Sequence, residues 1–249
     1  MPPLRGRSWK EQLLMRLFDL FLGPNGWGLP LLCAALMTVA LSVSGLVVGA
    51  VLGALLAYAR IAGGFIARTA ADAITTVLRG VPDLLVIYLF YFGGSQILSW
   101  IGNAAGYGGF IGLPVFLTGV LALGVVSAAY QAEVFRGAFN VIPRGQIESA
   151  RAAGMGPLLM FRRVLAPQVF RHALPGMGNV WQLILKDSAL ISVIGLVELL
   201  RAAQVGAGST REPFLFYSAA LLLYLAITSL SGQAFRWAEI RSLRPFRRG

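Results

Sequence analysis

Long stretches without a single charged residue alternate with short charged ones along this chain of 249 residues. Asp, Glu, Lys and Arg are absent from residues 29–59, 84–132 and 213–235. A helix that crosses the hydrocarbon core of a bilayer needs about 20 predominantly apolar residues. The middle run is long enough to contribute to two such helices, so the three runs together predict four membrane spans.

A fifth apolar stretch, residues 173–200, is interrupted only by Lys186, Asp187 and Glu198, and it is counted as a span as well. The uncharged, glycine-rich residues 93–110 are expected to form a short outer loop. Overall, 57% of the residues are hydrophobic and only 12% are charged, which is unlike a soluble domain. We therefore predict an all-α membrane protein of about five transmembrane helices, at 29–58, 69–93, 111–136, 173–200 and 213–236.

The first 28 residues are too polar to span a membrane, and no small-residue cleavage site ends a short apolar core there, so no cleaved signal peptide is expected. Large apolar residues recur at helical spacing in this segment, as in a helix that lies in the membrane interface. They are Trp9, Leu13, Leu14, Leu17, Phe18 and Phe21. The predicted organisation is an interfacial segment at 1–28, a membrane domain at 29–240 and a basic tail at 241–249.

The net charge of +11 is distributed unequally across the predicted spans. Thirteen of the 21 Lys and Arg residues fall on the side that receives the C-terminus, six fall on the other side, and Arg79 and Lys186 lie within spans. Because positive residues favour the cytoplasmic side, we expect the N-terminus outside and the C-terminus in the cytoplasm. The four basic residues of the N-terminal segment oppose this orientation. The basic residues lie beside the predicted spans, so their effect on orientation accounts for the net charge of +11, and nucleic-acid binding is not needed to explain it.

Glycine and proline mark the first two predicted spans. Gly45, Gly49 and Gly53 follow one another at every fourth position, which lets a neighbouring helix approach closely. Pro82 lacks an N–H group and clashes with the preceding turn, so a kink or break is expected near Val81. Non-helical backbone at membrane depth must face protein or water, so the break should point inward.

The chain offers little chemistry for catalysis or metal binding. Cys33 is the only cysteine and His172 the only histidine, which leaves no disulfide and no cysteine–histidine metal site. Neither Lys10 nor Lys186, the only lysines, follows the glycine pattern of a phosphate-binding loop. We therefore expect no enzyme activity and no metal site in this chain.

A charged segment separates the third and fourth predicted spans. Residues 136–171 contain six arginines, each of which would cost about 2.5–3.5 kcal/mol at the centre of a bilayer, so the segment should be aqueous or bound to protein. Within it, the sequence GQIESARAAGM favours a helix that ends at Gly154, because glycine accepts the left-handed conformation of a C-terminal cap. Pro157 suits the first turn of a second short helix, and Pro167 is expected to end it.

The predicted structure of residues 142–170 is an elbow of two short helices, with Met155 at the bend. Leu158, Phe161 and Leu165 fall on one face of the second arm, and Phe161 and Leu165 are expected to anchor it. Small apolar residues flanked by arginines suit docking to another protein. An ordinary interfacial loop whose arginines neutralise lipid headgroups is equally compatible with the residues alone.

The elbow sequence ESARAAGMGPLLMFRRVLAP, residues 148–167, resembles the EAA motif of ABC-importer permeases. Glu148, Ala150, Gly154 and Pro167 match the motif, while a serine and an alanine replace its usual alanine and leucine. The strings RGVPDLLVIYLFYFG, YQAEVFRGAFNVIPRGQ and LKDSALISVIGLVELLRA are similar to the polar amino-acid subfamily, of histidine, lysine–arginine and opine type.

The resemblance implies a subunit of five membrane helices in a bacterial inner membrane. It also implies two cytoplasmic ATPases that bind the ATP, an external solute-binding protein and a pair of permeases. The pair is either two copies of this chain or, as the resemblance to opine and histidine systems favours, this chain with a related permease. The solute would be a polar amino acid or a derivative such as an opine. An ion-coupled secondary transporter is the alternative, although it would need no docking elbow.

In this interpretation the elbow becomes the helix that couples the permease to an ATPase. The residues expected to do so are Glu148, Ala150, Arg151, Gly154, Met155 and Pro167. Ionisable residues within spans usually face a bundle interior or a cavity. Lys186 and Asp187 are therefore expected to line or gate the solute pathway, with an interfacial pair near the cytoplasmic end as the alternative. Glu133 is assigned to the pathway with them, but bracing of the elbow, together with Arg136, is the favoured role for it.

Overall fold

The computed structural model describes residues 18, 20, 21, 23 and 26–243. Within them the chain is built of helices, without a strand. π-helical turns continue α3 into α4 and α7 into α8 without a break. The helices are α1 (Gly28–Ala62), α2 (Phe65–Gly80), α3 (Asp83–Tyr88), α4 (Gly94–Ala104), α5 (Val115–Asn140), α6 (Arg144–Ala152), α7 (Pro157–Met160), α8 (Ala166–Asp187), α9 (Leu199–Thr210) and α10 (Pro213–Leu243).

α1 and α5 pack face to face, and the glycine stripe allows them to do so. Gly45, Gly49 and Gly53 are all buried. A Cβ atom at Gly45 would lie 3.1 Å from Cβ of Leu123, and one at Gly53 would lie 2.9 Å from the carbonyl oxygen of Ala128. These approaches are tighter than ordinary side-chain contacts, so the predicted close helix packing is confirmed.

Four helices are long and apolar enough to cross a membrane, and they agree with three of the five predicted spans. The first, third and fifth predicted spans each coincide with one of these helices. The four helices are Gly28–Ala62, Asp83–Ala104, Val115–Asn140 and Pro213–Ser242.

The second predicted span, residues 69–93, is wrong in position. The helix breaks at Val81 and Pro82, whose backbones are extended, because proline pushes the residue before it out of the helical conformation. The predicted kink is therefore confirmed. The apolar helix is Asp83–Ala104, and it occupies most of residues 93–110, where a loop is expected from the glycine content.

The fourth predicted span, residues 173–200, is not one helix. α8 ends at Asp187, and a 3-10 turn, Ser188–Ile194, follows it. Gly195 then has φ +102°, a left-handed conformation that glycine adopts without strain. The chain changes direction there, before α9 begins, so the apolar pattern alone was misleading.

Although it is interrupted, this part of the chain still runs along α5 in the opposite direction. Gly176, in the first half of α8, faces Val134 near the end of α5. In the 3-10 turn, Ile191 faces Gly119 near the start of α5. The chain therefore passes along the bundle from one end towards the other without forming a uniformly apolar helix.

α9 packs at the end of the bundle where α1 and α10 begin. Its apolar residues share a buried cluster with Leu31 of α1 and Phe216 of α10. Glu198 caps the helix, since its carboxylate accepts hydrogen bonds of 2.8 Å from two backbone N–H groups of the first turn. Tyr224 of α10 donates a further hydrogen bond of 3.0 Å to the same carboxylate.

Most of the two terminal segments lies outside the described residues, among them Trp9, Leu13, Leu14 and Leu17. The ring of Phe21 lies 5.7 Å from that of Phe216, between ring centroids. α10 continues to Leu243, so the predicted tail at 241–249 begins as helix. The boundaries of these segments stay predictions.

Candidate functional site: an elbow and a charged cluster

α6 ends in a turn that favours glycine. Gly154 has φ +75°. Its N–H donates to the carbonyl of Arg151 at 2.9 Å, and the N–H of Met155 donates to the carbonyl of Ala150 at 3.1 Å. These two hydrogen bonds form a Schellman motif, which satisfies the last carbonyls of the helix. The backbone itself therefore sets the direction of the bend.

Pro157 opens the second arm, but Pro167 does not end it. α7, the π-turn Phe161–Leu165 and α8 form one continuous helix from Pro157 to Asp187, which we call the rod. A proline within a helix clashes with the carbonyl four residues earlier, and here that carbonyl lies in the π-turn, whose winding is wider. The prediction of a short second helix limited by Pro167 is therefore wrong.

The residues at the bend form a shallow groove with exposed charges at its side. Glu148 and Arg151 are exposed on α6, whereas Ala150 is buried. Ala150, Met155 and Val164 line the groove between the two arms. The arrangement suits a partner that contacts both charged side chains and small apolar ones.

The second arm is less firmly anchored than its apolar face suggests. Leu165 is buried, but Leu158 is 71% exposed and Phe161 is 53% exposed. The prediction that Phe161 anchors this arm is therefore wrong. Large exposed apolar side chains next to charged ones are typical of interaction surfaces.

Glu133 lies at the elbow end of the bundle, where arginines from three helices surround it. The Arg60 Nη1 atom of α1 lies 2.6 Å from Oε1 of Glu133, and Nη2 of Arg136 lies 2.8 Å from Oε2. Nη1 of Arg79, from α2, lies 3.7 Å from Oε1. Nε of Arg60 also pairs with Asp72 of α2 at 2.5 Å. We call these five residues the charged cluster.

The charged cluster is a major attachment of α2. The buried residues of this helix are only Ala71 and Thr75. The guanidinium carbon of Arg79 lies 5.6 Å from the ring centroid of Tyr130 on α5, within the range of a cation–π contact. Charge pairing therefore adds to the small buried contact that joins α2 to α1 and α5.

Lys186 and Asp187 lie at the other end of the rod from the elbow. Lys186 is exposed and Asp187 is half-buried. Asp187 is near enough to Asp83, in the first turn of α3, for the two charges to interact. Asp187 lies eleven positions after Gly176, which is beside Val134, and this corresponds to about 16 Å of helix. The structure thus places Glu133 apart from the other two predicted pathway residues.

The charged groups are arranged to hold helices together. Within the part of the chain that the structure describes, no group of three or more His, Cys, Asp or Glu side chains is placed to hold a metal ion. The carboxylates of the charged cluster are instead paired with guanidinium groups, which stabilises buried or half-buried charge.

A family model described as "Binding-protein-dependent transport system inner membrane component" matches residues 45–238. The match contains the charged cluster, the elbow and the rod. The chain belongs to this family of ABC-importer permeases. Membership implies an ATPase and a substrate-binding protein as partners, and a place in the inner membrane, which the chain crosses several times.

Similar proteins agree with this assignment. The permease is 59% identical to the octopine transport system permease protein OccQ of Rhizobium meliloti over 91% of this chain and 96% of that one. It is 48% identical to the nopaline transport system permease protein NocQ of Agrobacterium fabrum, over 87% and 92% of the two chains. A crystal structure of an amino acid ABC transporter with histidines matches with a TM-score of 0.71 and 27% identity, over 94% and 99%. These relatives are transport subunits rather than enzymes, and so is this permease.

Sequence reasoning grouped Glu133 with Arg136, three residues later on the same helix, but missed its partner Arg60. Arg60 stands 73 positions before Glu133, and no local pattern connects the two. Arg60 contributed only to the charge count that sets orientation. Asp83 lies in the first turn of its helix, a position that acids commonly occupy, so the sequence does not single it out as a neighbour of Asp187.

Proposed function

We propose that this permease imports an opine or a basic amino acid, driven by ATP hydrolysis in two partner subunits. The observation that carries the proposal is the exposed elbow, which is continuous with a helix that reaches the interior of the bundle. The similarity to octopine and nopaline permeases supports an amino-acid derivative as the solute.

Three kinds of partner follow from the proposal. Two ATP-binding subunits supply the nucleotide chemistry, because this chain has no phosphate-binding loop of the Gly-x-x-x-x-Gly-Lys type. A related second permease completes the pathway, and a solute-binding protein delivers the solute from outside. ATP is thus a cofactor of the partners and not of this chain.

The elbow faces the cytoplasm in this proposal, with the N-terminus outside and the C-terminus inside. The charged cluster and the arginines of the elbow lie at the same end of the bundle, and α10 ends there with further arginines. An excess of positive residues at one end favours the cytoplasmic side.

The elbow acts as the coupling element. Glu148 and Arg151 contact the ATPase through their exposed charges, and Ala150 and Met155 supply the small apolar surface between the arms. Gly154 sets the angle at which α6 meets the rod. Pro167 lies in the rod beside the π-turn, where it limits local hydrogen bonding without interrupting the helix.

The rod carries the movement inward. From Pro157 to Asp187 it has 31 residues, which corresponds to about 46 Å at 1.5 Å per residue. The helix is continuous although Pro175 lies within it, so a tilt at the elbow is transmitted to its other end as a displacement. Lys186 and Asp187 stand there, and we assign them to the lining or the gate of the solute pathway.

Glu133 has a different place in the mechanism. Its carboxylate oxygens already accept short ion pairs from Arg60 and Arg136, so a solute would have to displace them. We therefore assign Glu133 to bracing α1, α2 and α5 at the elbow end, which is the second of the two roles expected for it.

Uptake by proteoliposomes tests the proposal. The permease, reconstituted with its ATPase, second permease and solute-binding protein, should accumulate labelled octopine or L-arginine only with ATP, and vanadate should abolish the uptake. Uptake that a proton gradient drives without ATP would instead establish the ion-coupled transporter.

A further inference from the structure

A groove of about 470 Å³ lies between α8 and α10 on the elbow side of the bundle. Sites for small molecules commonly have volumes of this order. Phe235 of α10 lies against Gly178, with its Cγ 3.5 Å from the position of a Cβ there, and Gln182 lies similarly near Gly232. Both are ordinary van der Waals distances, so α8 and α10 pack against each other at these two glycines.

The middle of the groove is lined by neutral polar side chains. Asn179 and Gln182 come from α8, and Thr228 and Ser229 come from α10. Polar side chains in a membrane bundle face protein or water rather than lipid. Asn179, Gln182 and Lys186 are three and four residues apart, so they share one face of α8. The polar face therefore continues from the groove to Lys186.

The elbow-side end of the groove carries two opposite charges, Arg236 and Glu239. They are three residues apart on α10, but no ion pair joins them among the ion pairs of the described residues. A site for a simple anion needs no carboxylate, and a site for a simple cation needs no guanidinium. The presence of both matches a zwitterion, which carries a carboxylate beside a positive nitrogen.

We propose that this groove binds the zwitterionic head group of the solute as it leaves the permease. The carboxylate of the solute pairs with Arg236, and its positive nitrogen pairs with Glu239. The amides and hydroxyls of the groove form hydrogen bonds with the remaining polar groups of the solute. The direction of movement rests on the proposed function. The binding site itself goes beyond the proposed function, and it can be tested without ATP.

Protection of a single cysteine tests binding directly. Ser229 is exposed in the groove, so Ser229→Cys in a Cys33→Ser background should react with a charged thiol reagent in the permease–ATPase complex in nanodiscs, without solute-binding protein. L-arginine or octopine should slow this reaction several-fold across a concentration series. Gln233→Cys, exposed on α10 outside the groove, should react at a rate that neither solute changes.

Uptake by variants gives the second readout. Arg236→Gln and Glu239→Gln should each reduce uptake about tenfold, the loss expected for one charge-assisted hydrogen bond. Arg241→Gln is the matched control, because Arg241 stacks on Trp237 at 5.2 Å and does not line the groove. Its uptake should stay within twofold of the parent.

Two results would overturn the groove as a binding site. One is Ser229→Cys reactivity that neither solute slows, and the other is equal uptake by the two groove variants and the control. If the parent complex takes up solute without needing ATP while Ser229→Cys is still protected, the groove stands and the ATP-driven function fails. If uptake depends on ATP but neither solute protects Ser229→Cys, the ATP-driven function stands and the groove fails as a binding site.

Discussion

The conformation of Gly154 makes one residue responsible for the angle of the elbow. A left-handed backbone costs a side-chain-bearing residue roughly 1–2 kcal/mol. No atom lies within 4 Å of a Cβ placed at Gly154, so space is not the restriction. Gly156, two positions later, has φ −64° and equally open surroundings, which makes it a matched control.

We expect Gly154→Val to reduce ATP-dependent uptake several-fold while membrane insertion stays normal, because the strained residue changes the end of α6. Gly154→Asn should be milder, since asparagine tolerates the left-handed region. Gly156→Ala should transport like the parent. Uptake in proteoliposomes measures all three, and normal uptake by Gly154→Val would remove Gly154 from the coupling mechanism.

At the scale of elements, the ion pair between Arg60 and Glu133 joins α1 to α5. Removing one partner takes an ion pair from a half-buried charge, although Glu133 keeps its pair with Arg136 and Arg60 keeps its pair with Asp72. We expect Arg60→Gln and Glu133→Gln each to lower the midpoint of thermal unfolding. The double variant should lose less stability than the sum of the two, with a coupling energy of about 0.5–3 kcal/mol.

Arg68→Gln provides the control for that cycle, because Arg68 takes part in no ion pair recorded for the described residues. Its effect on the unfolding midpoint should be small. If the Arg60 and Glu133 effects are simply additive, the two side chains do not interact in the membrane-bound protein.

The continuity of the rod predicts that stiffness near its middle matters for transport. Val169→Gly with Phe170→Gly should weaken the helix by about 1 kcal/mol per glycine, so ATP hydrolysis should continue while uptake falls. The matched control is Val169→Ala with Phe170→Ala, which removes the same side chains but keeps the helix. Equal uptake by the two double variants would show that the rod does not carry the movement.

At the scale of the whole molecule, the sequence predicts the features that depend on neighbouring residues. Uncharged runs located three spans, Pro82 located a break, and Gly154 with Pro157 located the bend. Each of these follows from the chemistry of a few consecutive positions.

The features that the sequence did not predict depend on distant partners or on competing local effects. A proline usually ends or kinks a helix, but the π-turn before Pro167 accommodates this one. The stretch 173–200 is apolar enough to resemble one span, yet Gly195 redirects it. The pairing of Glu133 with Arg60 requires α1 and α5 to be docked already, and no local pattern contains that information.

Docking of the ATPase on the elbow is the central claim, and site-specific photocrosslinking tests it most directly. A p-benzoylphenylalanine at Met155 should crosslink to the ATPase subunit in membranes. The same probe at Leu29 should not, because Leu29 is exposed at the start of α1, at the end of the bundle opposite the elbow. An ATPase adduct at Met155 alone is the predicted result. Lipid adducts at Met155, with no ATPase adduct, would contradict the account and show that the elbow is an interfacial loop.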